Sequence, residues 1–203
     1  YWLTPERLSE VLALVGKHYP DVGVTFDDGN ISDLAIALPL LKREGVRAYF
    51  FIPVDRIGTQ HYLTADEIRT LHKEGMIIGS HGCNHVEWPT LSDDVLEDEI
   101  ARPLRVLADI IGAPVKSVGV PFGAYDGRVL QRLRVHGIEQ VFTSDGGPCV
   151  ARAWLLPRNS VRSDMPLTQV EAMLTRPRDP ALFYLRAAKR VGRRVLNQLV
   201  SSR

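Results

Sequence analysis

The stretch VTFDDGN, residues 24–30, carries an apolar run into two adjacent carboxylates, Asp27 and Asp28, followed directly by a glycine. An Asp-Gly pair is common in turns, and an aspartate before it can cap the next helix. Two like charges at the end of a strand can equally belong to a functional site, because loops carry much of a protein's function. This stretch by itself is compatible with both interpretations, and the rest of the chain has to decide between them.

The composition indicates one globular domain. The chain has 203 residues, of which 45% are hydrophobic and 24% charged, and this length can bury one sizeable core. Its longest apolar runs are far shorter than the ~18 residues of a membrane span, so no transmembrane helix is expected. No signal peptide is recognised, and the localisation is left unknown between the cytoplasm and export with the signal removed. Cys83 and Cys149 form no C-x-x-C pair and are interpreted as plain buried thiols.

The charge is distributed unevenly along the chain. Residues 176–203 contain eight basic residues and one acidic residue, whereas residues 1–175 contain 17 basic and 23 acidic residues. Apolar residues recur every three or four positions from Leu182 to Leu199, which predicts a basic amphipathic helix at the C-terminus. Such a helix either docks on the preceding domain or contacts a membrane surface or an anionic glycan. The acidic body has no basic footprint for nucleic acid, so no nucleic-acid partner is expected.

Apolar, β-rich segments alternate with helical patterns that open with Ser, Thr or Asp and close on glycine. The predicted strands lie at residues 22–26, 47–52, 76–80, 115–120 and 140–144, with a shorter one near 153–156. They are near-continuous apolar runs, which is typical of parallel strands covered by helices. The repeated order of strand then helix predicts an α/β sheet or barrel. Residues 161–180 contain three prolines and are expected to form a break before the basic tail.

Polar or turn-forming residues follow most of the predicted strands. Asp27 and Asp28 follow the first strand, His81 follows the third, Phe122 the fourth and Asp145 the fifth. Because the loops after parallel strands converge on one face of such a fold, we expect these residues to lie near one another.

His81 and His85 are four residues apart, a spacing that places two imidazoles on one face of a helical turn. The pair alone is weak evidence, since each histidine can also serve backbone groups or solvent. Two histidines and one carboxylate, however, form a three-ligand set that suits Zn²⁺ or another borderline divalent metal. A second carboxylate is then needed as general base for water activated by the metal. The adjacent aspartates would therefore divide the two roles.

Three motifs carry a resemblance to a known family. TFDDG at residues 25–29, SHGCNH at 80–85 and PFGAYD at 121–126 resemble the first three motifs of the polysaccharide deacetylases, the NodB-homology domain of carbohydrate esterase family 4. The resemblance covers about residues 22–161. It implies a distorted (β/α) barrel that removes N-acetyl groups from amino sugars with the help of a metal. We accordingly expect a catalytic domain at residues 1–175 with its core at 22–161, and a tail at 176–203.

The resemblance also implies roles for individual residues. Asp27 would be the general base, and Asp28, His81 and His85 would hold a divalent metal, expected to be zinc, with cobalt as the alternative. The backbone N–H near Phe122 would help to hold the developing oxyanion. The implied partner is an acetylated amino-sugar glycan.

The sequence departs from the family pattern at two places. Gly119 stands where the family has an arginine that orients the general base. Arg158 is our candidate for its replacement. The alternative role of Arg158 is an ordinary ion pair. The chain has no histidine after His136 to act as the late general acid, and His136 itself is expected to cap a helix. Asp145 is interpreted as a substrate contact or a turn residue, and Thr25 as a hydrogen-bonding partner near the ligand loop or a sheet-filling residue. These departures leave two alternatives open: an amide or N-acyl hydrolase acting on a smaller molecule, and a catalytically weak glycan-binding homologue.

Overall fold

The helices and strands alternate along the chain in a computed structural model that describes residues 3–147 and 153–175. The helices within these ranges are α1 (Pro5–His18), α2 (Leu38–Glu44), α3 (Ala65–Lys73), α4 (Asp93–Ile111), α5 (Gly127–Val135) and α6 (Leu167–Thr175). The strands are β1 (Val24–Asp27), β2 (Ala48–Ile52), β3 (Ile77–Ser80), β4 (Ser117–Gly119), β5 (Gln140–Thr143) and β6 (Leu155–Pro157). Each strand overlaps one of the apolar runs that predicted it.

The six strands form one sheet, in which every neighbouring pair is parallel and the spatial order follows the chain order. All the carboxyl ends therefore lie along one edge. The sheet is curled, as the contact between Arg158 and Asp27 shows. Arg158 lies directly after β6, and Asp27 is the last residue of β1. Among the described strands, β1 and β6 do not pair with each other, so the barrel is open between them. The predicted α/β fold with a parallel, barrel-like sheet is confirmed.

Local sequence chemistry fixes where the helices begin and end. Helix α3 begins with a capping box, in which Thr64 and Glu67 each bond to the other's backbone N–H. Helix α4 ends at Gly112, whose φ of 71° lies in the left-handed region that glycine adopts most readily. The predicted helix before β2 divides in two, since a π-helical turn over Asp33–Ala37 precedes α2, whose second residue, Pro39, has no N–H to donate.

Two clusters of buried side chains flank the sheet. One packs helices α1 to α4 against β1, β2 and β3. The other packs α4 and α5 against β4 and β5 and includes Trp88, which is 1% exposed. Helix α4 contributes to both clusters, and this places it behind the middle of the sheet.

The region expected to be a break is partly helical. Helix α6 packs through Val170 against Val11 of α1, and Met165 lies in the same small cluster. The prediction of a break over residues 161–180 is therefore wrong for residues 167–175, where the apolar residues Leu167, Val170 and Leu174 outweigh the flanking prolines. The predicted basic amphipathic tail at 176–203 lies outside the described residues. None of the helices within the described ranges combines the length and apolar character needed to cross a membrane.

Candidate metal centre and active site

The carboxyl edge of the sheet concentrates unusual backbone conformations. In the described ranges, four residues other than glycine have positive φ: Asp28 (78°), His61 (72°), His85 (55°) and Phe122 (55°). Residues other than glycine adopt this region only at a cost in conformational energy, and residues held in it are enriched at functional sites. Three of the four are residues that the sequence analysis assigned to the site. The two adjacent aspartates have different partners, since Asp28 accepts a hydrogen bond from Arg56 and Asp27 from Arg158.

Asp28, His81 and His85 form the candidate metal centre. One ligand atom from each lies within 4.8 Å of the others, and Asp28 Oδ1 is 3.8 Å from His85 Nε2. His81 is 1% exposed and its Nδ1 lies 2.6 Å from the Gly119 carbonyl oxygen. Because a carbonyl only accepts hydrogen bonds, Nδ1 carries the proton and Nε2 presents its lone pair to the site.

The protonation of His81 also suits a metal ligand. Burial lowers the pKa of its imidazole below the usual value, although the Asp27 carboxylate and the bond to Gly119 oppose the shift. A neutral imidazole is the form that binds a metal. Two nitrogen donors and one carboxylate oxygen fit zinc or a similar divalent ion, with a coordination position left for water or substrate.

Arg56 is a site residue that sequence reasoning missed. It ends a short 3₁₀ turn after β2, and its guanidinium donates to Asp28 Oδ1 at 2.8 Å. Its Cζ lies 5.1 Å from the centre of the Tyr62 ring, a distance typical of a cation–π contact. Its position just beyond a strand end was the available signal, but nothing local showed that it faces Asp28.

Asp27 is held by Arg158. The guanidinium donates to both carboxylate oxygens, at 2.6 and 2.9 Å, and to Thr25 Oγ1 at 2.9 Å. Burial alone would raise the pKa of Asp27, but the charge and hydrogen bonds of Arg158, with smaller contributions from His81 and His85, hold it below its usual value. The structure thus brings the proposed orienting cation onto the proposed base, while the catalytic role of both stays a prediction.

There is no room for an arginine side chain at Gly119, and the cation is supplied instead by Arg158, directly after β6. A Cβ at residue 119 would lie 2.7 Å from Phe51 Cγ, closer than real contacts allow. Phe51 is 0% exposed and fills this space, and the Arg158 guanidinium lies 5.4 Å from the centre of its ring. An arginine at 119 would displace Phe51, whereas Arg158 reaches Asp27 across the open side of the barrel.

Phe122 forms an exposed apolar wall beside the metal centre. Its side chain is among the most exposed of the large hydrophobic residues, at 60%, and its ring centre is 4.3 Å from that of His85. The N–H of the next residue, Gly123, is already bonded to the Val120 carbonyl at 2.9 Å. The N–H of Phe122 itself is therefore the candidate oxyanion donor, and this role remains a prediction.

The remaining candidates are placed as follows. Asp145 Oδ2 accepts hydrogen bonds from the Tyr125 hydroxyl at 2.7 Å and from Thr143 Oγ1 at 2.9 Å, which ties it to the end of β5. Thr25 bonds to Arg158 rather than to the ligand loop. His136 Nε2 lies 2.7 Å from Glu97 Oε1 at the end of α5, an ion-pair position that gives it no contact with Asp27.

Sequence comparisons with known proteins find similar chains. A family model described as polysaccharide deacetylase matches residues 16–141. YxkH of Bacillus subtilis, provisionally named a polysaccharide deacetylase, is 27% identical over 146 residues, which are 71% of this chain and 52% of that protein. The chain spans about half the length of two curated relatives that it matches.

Solved structures share the fold. The deacetylase PplD of Streptococcus pyogenes, solved in complex with acetate, matches with a TM-score of 0.79 at 19% identity, over 85% of this chain and 87% of that one. IcaB from Ammonifex degensii matches with a TM-score of 0.66 at 25% identity, over 86% and 82% of the two chains.

Proposed function

The chain belongs to the polysaccharide deacetylase family, and from this premise we propose that it is a metal-dependent hydrolase that removes N-acetyl groups from the amino sugars of a polysaccharide or glycan precursor. One observation supports this most strongly: the three candidate ligands and the Asp27–Arg158 pair meet at one edge of the sheet. His81 Nε2 lies 3.9 Å from Asp27 Oδ2, so a base and a ligand share the same small space.

The donor set favours zinc, with cobalt as the alternative. Asp28, His81 and His85 would hold the ion, which when bound supplies Lewis-acid polarisation of the amide carbonyl and of water. The fixed tautomer of His81 is part of this assignment, because its Nδ1–H is taken up by the Gly119 carbonyl. Arg56 also donates a hydrogen bond to Oδ1 of the Asp28 carboxylate.

Asp27 would act as the general base. The two hydrogen bonds from Arg158 keep its carboxylate ionised and fix its plane, so that it can accept the proton of the attacking water. The N–H of Phe122 would donate to the oxyanion, and the exposed ring of Phe122 offers an apolar face to the sugar. Because the chain has no histidine after His136, we propose that Asp27 returns its proton to the departing amine, with solvent as the other source.

The test is acetate release from N-acetylated chitin oligosaccharides, with Asp27→Asn and Asp28→Asn compared. We expect Asp27→Asn to keep its metal and lose turnover by about 10²- to 10⁴-fold, the usual share of a general base. Asp28→Asn should lose both metal and turnover. An Asp27→Asn variant that turns over at the wild-type rate would remove Asp27 from the mechanism.

The two alternatives are separated by the choice of substrate. Turnover of small N-acyl amides without turnover of oligosaccharides would favour the hydrolase of smaller molecules, to which the missing late histidine also points. Saturable oligosaccharide binding without acetate release, in protein shown to contain metal, would favour a glycan-binding homologue.

A further inference from the structure

A buried carboxylate outside the proposed site lies beneath the loop that carries the two histidine ligands. Glu99, on α4, is 5% exposed. Its Oε2 accepts hydrogen bonds from the Cys83 N–H at 2.8 Å and from the Trp88 indole N–H at 3.3 Å. Its Oε1 accepts a longer bond from the Asn84 N–H at 3.4 Å. One side chain therefore serves three donors between and just beyond His81 and His85.

The loop needs such an acceptor because it has left the sheet. Strand β3 ends at Ser80, so the N–H groups of Cys83 and Asn84 have no partner strand. Cys83 is buried, and a buried N–H without an acceptor costs about 1–3 kcal/mol, whereas Asn84 is exposed. The loop also sits closely on the carboxylate, since a Cβ at Gly82 would lie 2.6 Å from Glu99 Oε2.

Helix α4 holds the same loop from a second direction. Arg102, one turn after Glu99, binds both oxygens of Asp55 at 2.6 and 2.9 Å. The backbone N–H of Asp55 in turn donates to the Cys83 carbonyl at 3.1 Å, and that of Val54 to the Gly82 carbonyl at 3.1 Å. Glu99 thus holds N–H groups of the loop, and Asp55, itself bound by Arg102 of α4, holds the Cys83 carbonyl.

We infer that Glu99 is a positioning residue for the metal centre, which holds residues 82–84 so that His81 and His85 converge on one ion. It touches neither histidine side chain and acts through the backbone that joins them. The inference rests on the proposed metal site but not on the identity of the substrate. A role in stability alone would require only that the loop be buried, whereas positioning requires that the ligand geometry depend on this carboxylate.

The experiment measures zinc affinity by competition with a chromophoric chelator, together with the visible absorption of the Co²⁺-loaded protein. Glu99→Met removes all three acceptor contacts and is expected to weaken zinc binding by about 10- to 100-fold, the usual effect of losing an outer partner of a metal site. Its Co²⁺ spectrum should shift as the coordination geometry relaxes. Glu99→Gln keeps one oxygen for Cys83 and Trp88 but presents its amide group to the Asn84 N–H, so its affinity should fall between those of Glu99→Met and the wild type.

Leu107→Ala is the matched control, because Leu107 is a buried residue of the same helix, 0% exposed, that lies eight residues beyond Glu99. It shares an apolar cluster with Cys83 but offers the loop no hydrogen bond. It should lose about 2–5 kcal/mol of stability as a cavity forms, yet keep wild-type zinc affinity and the wild-type Co²⁺ spectrum. Zinc affinity that falls equally in Leu107→Ala would show that stability alone is being measured, and would overturn the inference.

Folded Glu99→Met with wild-type affinity and spectrum would also overturn it. If Glu99→Met does not fold, Glu99→Gln decides: reduced affinity supports positioning and wild-type affinity refutes it. A wild-type protein that binds neither Zn²⁺ nor Co²⁺ would refute the metal site, and with it both proposals. A wild-type protein that binds metal but releases no acetate would refute only the proposed function.

Discussion

Replacing Arg158 by glutamine removes the ion pair that holds Asp27 while leaving every candidate metal ligand in place. The side chain of Arg158 is 14% exposed and that of Asp27 35%, so the pair is recessed but still screened by solvent. Hydrogen bonds to charged groups contribute about 1.5–3 kcal/mol each, and the exposure of Asp27 argues for the lower end. These bonds are already formed before the reaction, so their energy shows how firmly the base is held and does not itself enter the barrier. With the base released from its fixed position, kcat should fall by about 10²-fold, the low end of what a general base contributes.

Arg158→Lys keeps the charge but replaces a planar fork by a point donor, so it should retain one of the two bonds. Because part of the restraint on the base remains, its kcat should fall by about tenfold, between the wild type and Arg158→Gln. Arg162→Gln is the matched control, because Arg162 belongs to the same segment and pairs with the exposed Asp164. It should leave kcat unchanged.

The assay is steady-state acetate release at saturating zinc, with zinc affinity measured in parallel. The prediction requires kcat to fall in the order wild type, Arg158→Lys, Arg158→Gln, with KM and zinc affinity nearly unchanged. Wild-type kcat in Arg158→Gln would refute the claim that this arginine orients the base. A loss confined to zinc affinity would place Arg158 in the metal centre instead.

Three further predictions follow from other contacts. Burial raises the pKa of Asp33 from 3.8 to about 8, against the hydrogen bond from the Asn30 N–H. The folded state therefore keeps a proton that the unfolded chain releases. The free energy of unfolding should fall as pH rises from 4 to 8, by an amount on the order of several kcal/mol. Asp33→Asn should abolish this fall in urea denaturation of metal-free protein, and an unchanged pH dependence would refute the assignment. Gly119→Ala should lower the free energy of unfolding by about 1–3 kcal/mol, because its Cβ meets Phe51. Gly23→Ala is the control, since no atom lies near its Cβ, and its stability should not change. Equal unfolding midpoints for the two variants would show that the Phe51 ring moves freely. Zinc at 100 times its dissociation constant should stabilise the wild type by about 2.7 kcal/mol in thermal unfolding, and an Asp28→Ala variant that gains as much would refute Asp28 as a ligand.

Much of the fold could be predicted from the sequence, because each strand is a short apolar run between helix caps. The ends of these runs also predicted which residues gather at one edge, since the carboxyl ends of parallel strands lie on the same side of a sheet. Helix α1 was not predicted, although its start has two typical features: Thr4 as N-cap and Pro5 at the first helical position. Helix α6 was missed because its apolar residues are flanked by prolines that suggested a break.

The parts that escaped the sequence depend on the curl of the sheet and on side-chain direction. Arg158 could be named as a candidate, but only the approach of β6 to β1 shows that it reaches Asp27. The position of Arg56 beyond a strand end was its only local signal, and Glu99 had none, because an arginine in a turn and a glutamate on a helix are most often solvated. The partner of Arg56 is 28 positions away along the chain, and that of Glu99 at Cys83 is 16 positions away. Packing brings these residues together.

The central claim is that a divalent metal at Asp28, His81 and His85 drives amide hydrolysis beside Asp27. It is tested most directly by titrating chelator-treated protein with Zn²⁺ and recording the initial rate of acetate release from an N-acetylated chitin oligosaccharide. The account predicts no release without metal, and a rate that rises to a plateau at one zinc ion per chain. Release that is undiminished after the metal has been removed, and unaffected when zinc is restored, would contradict it.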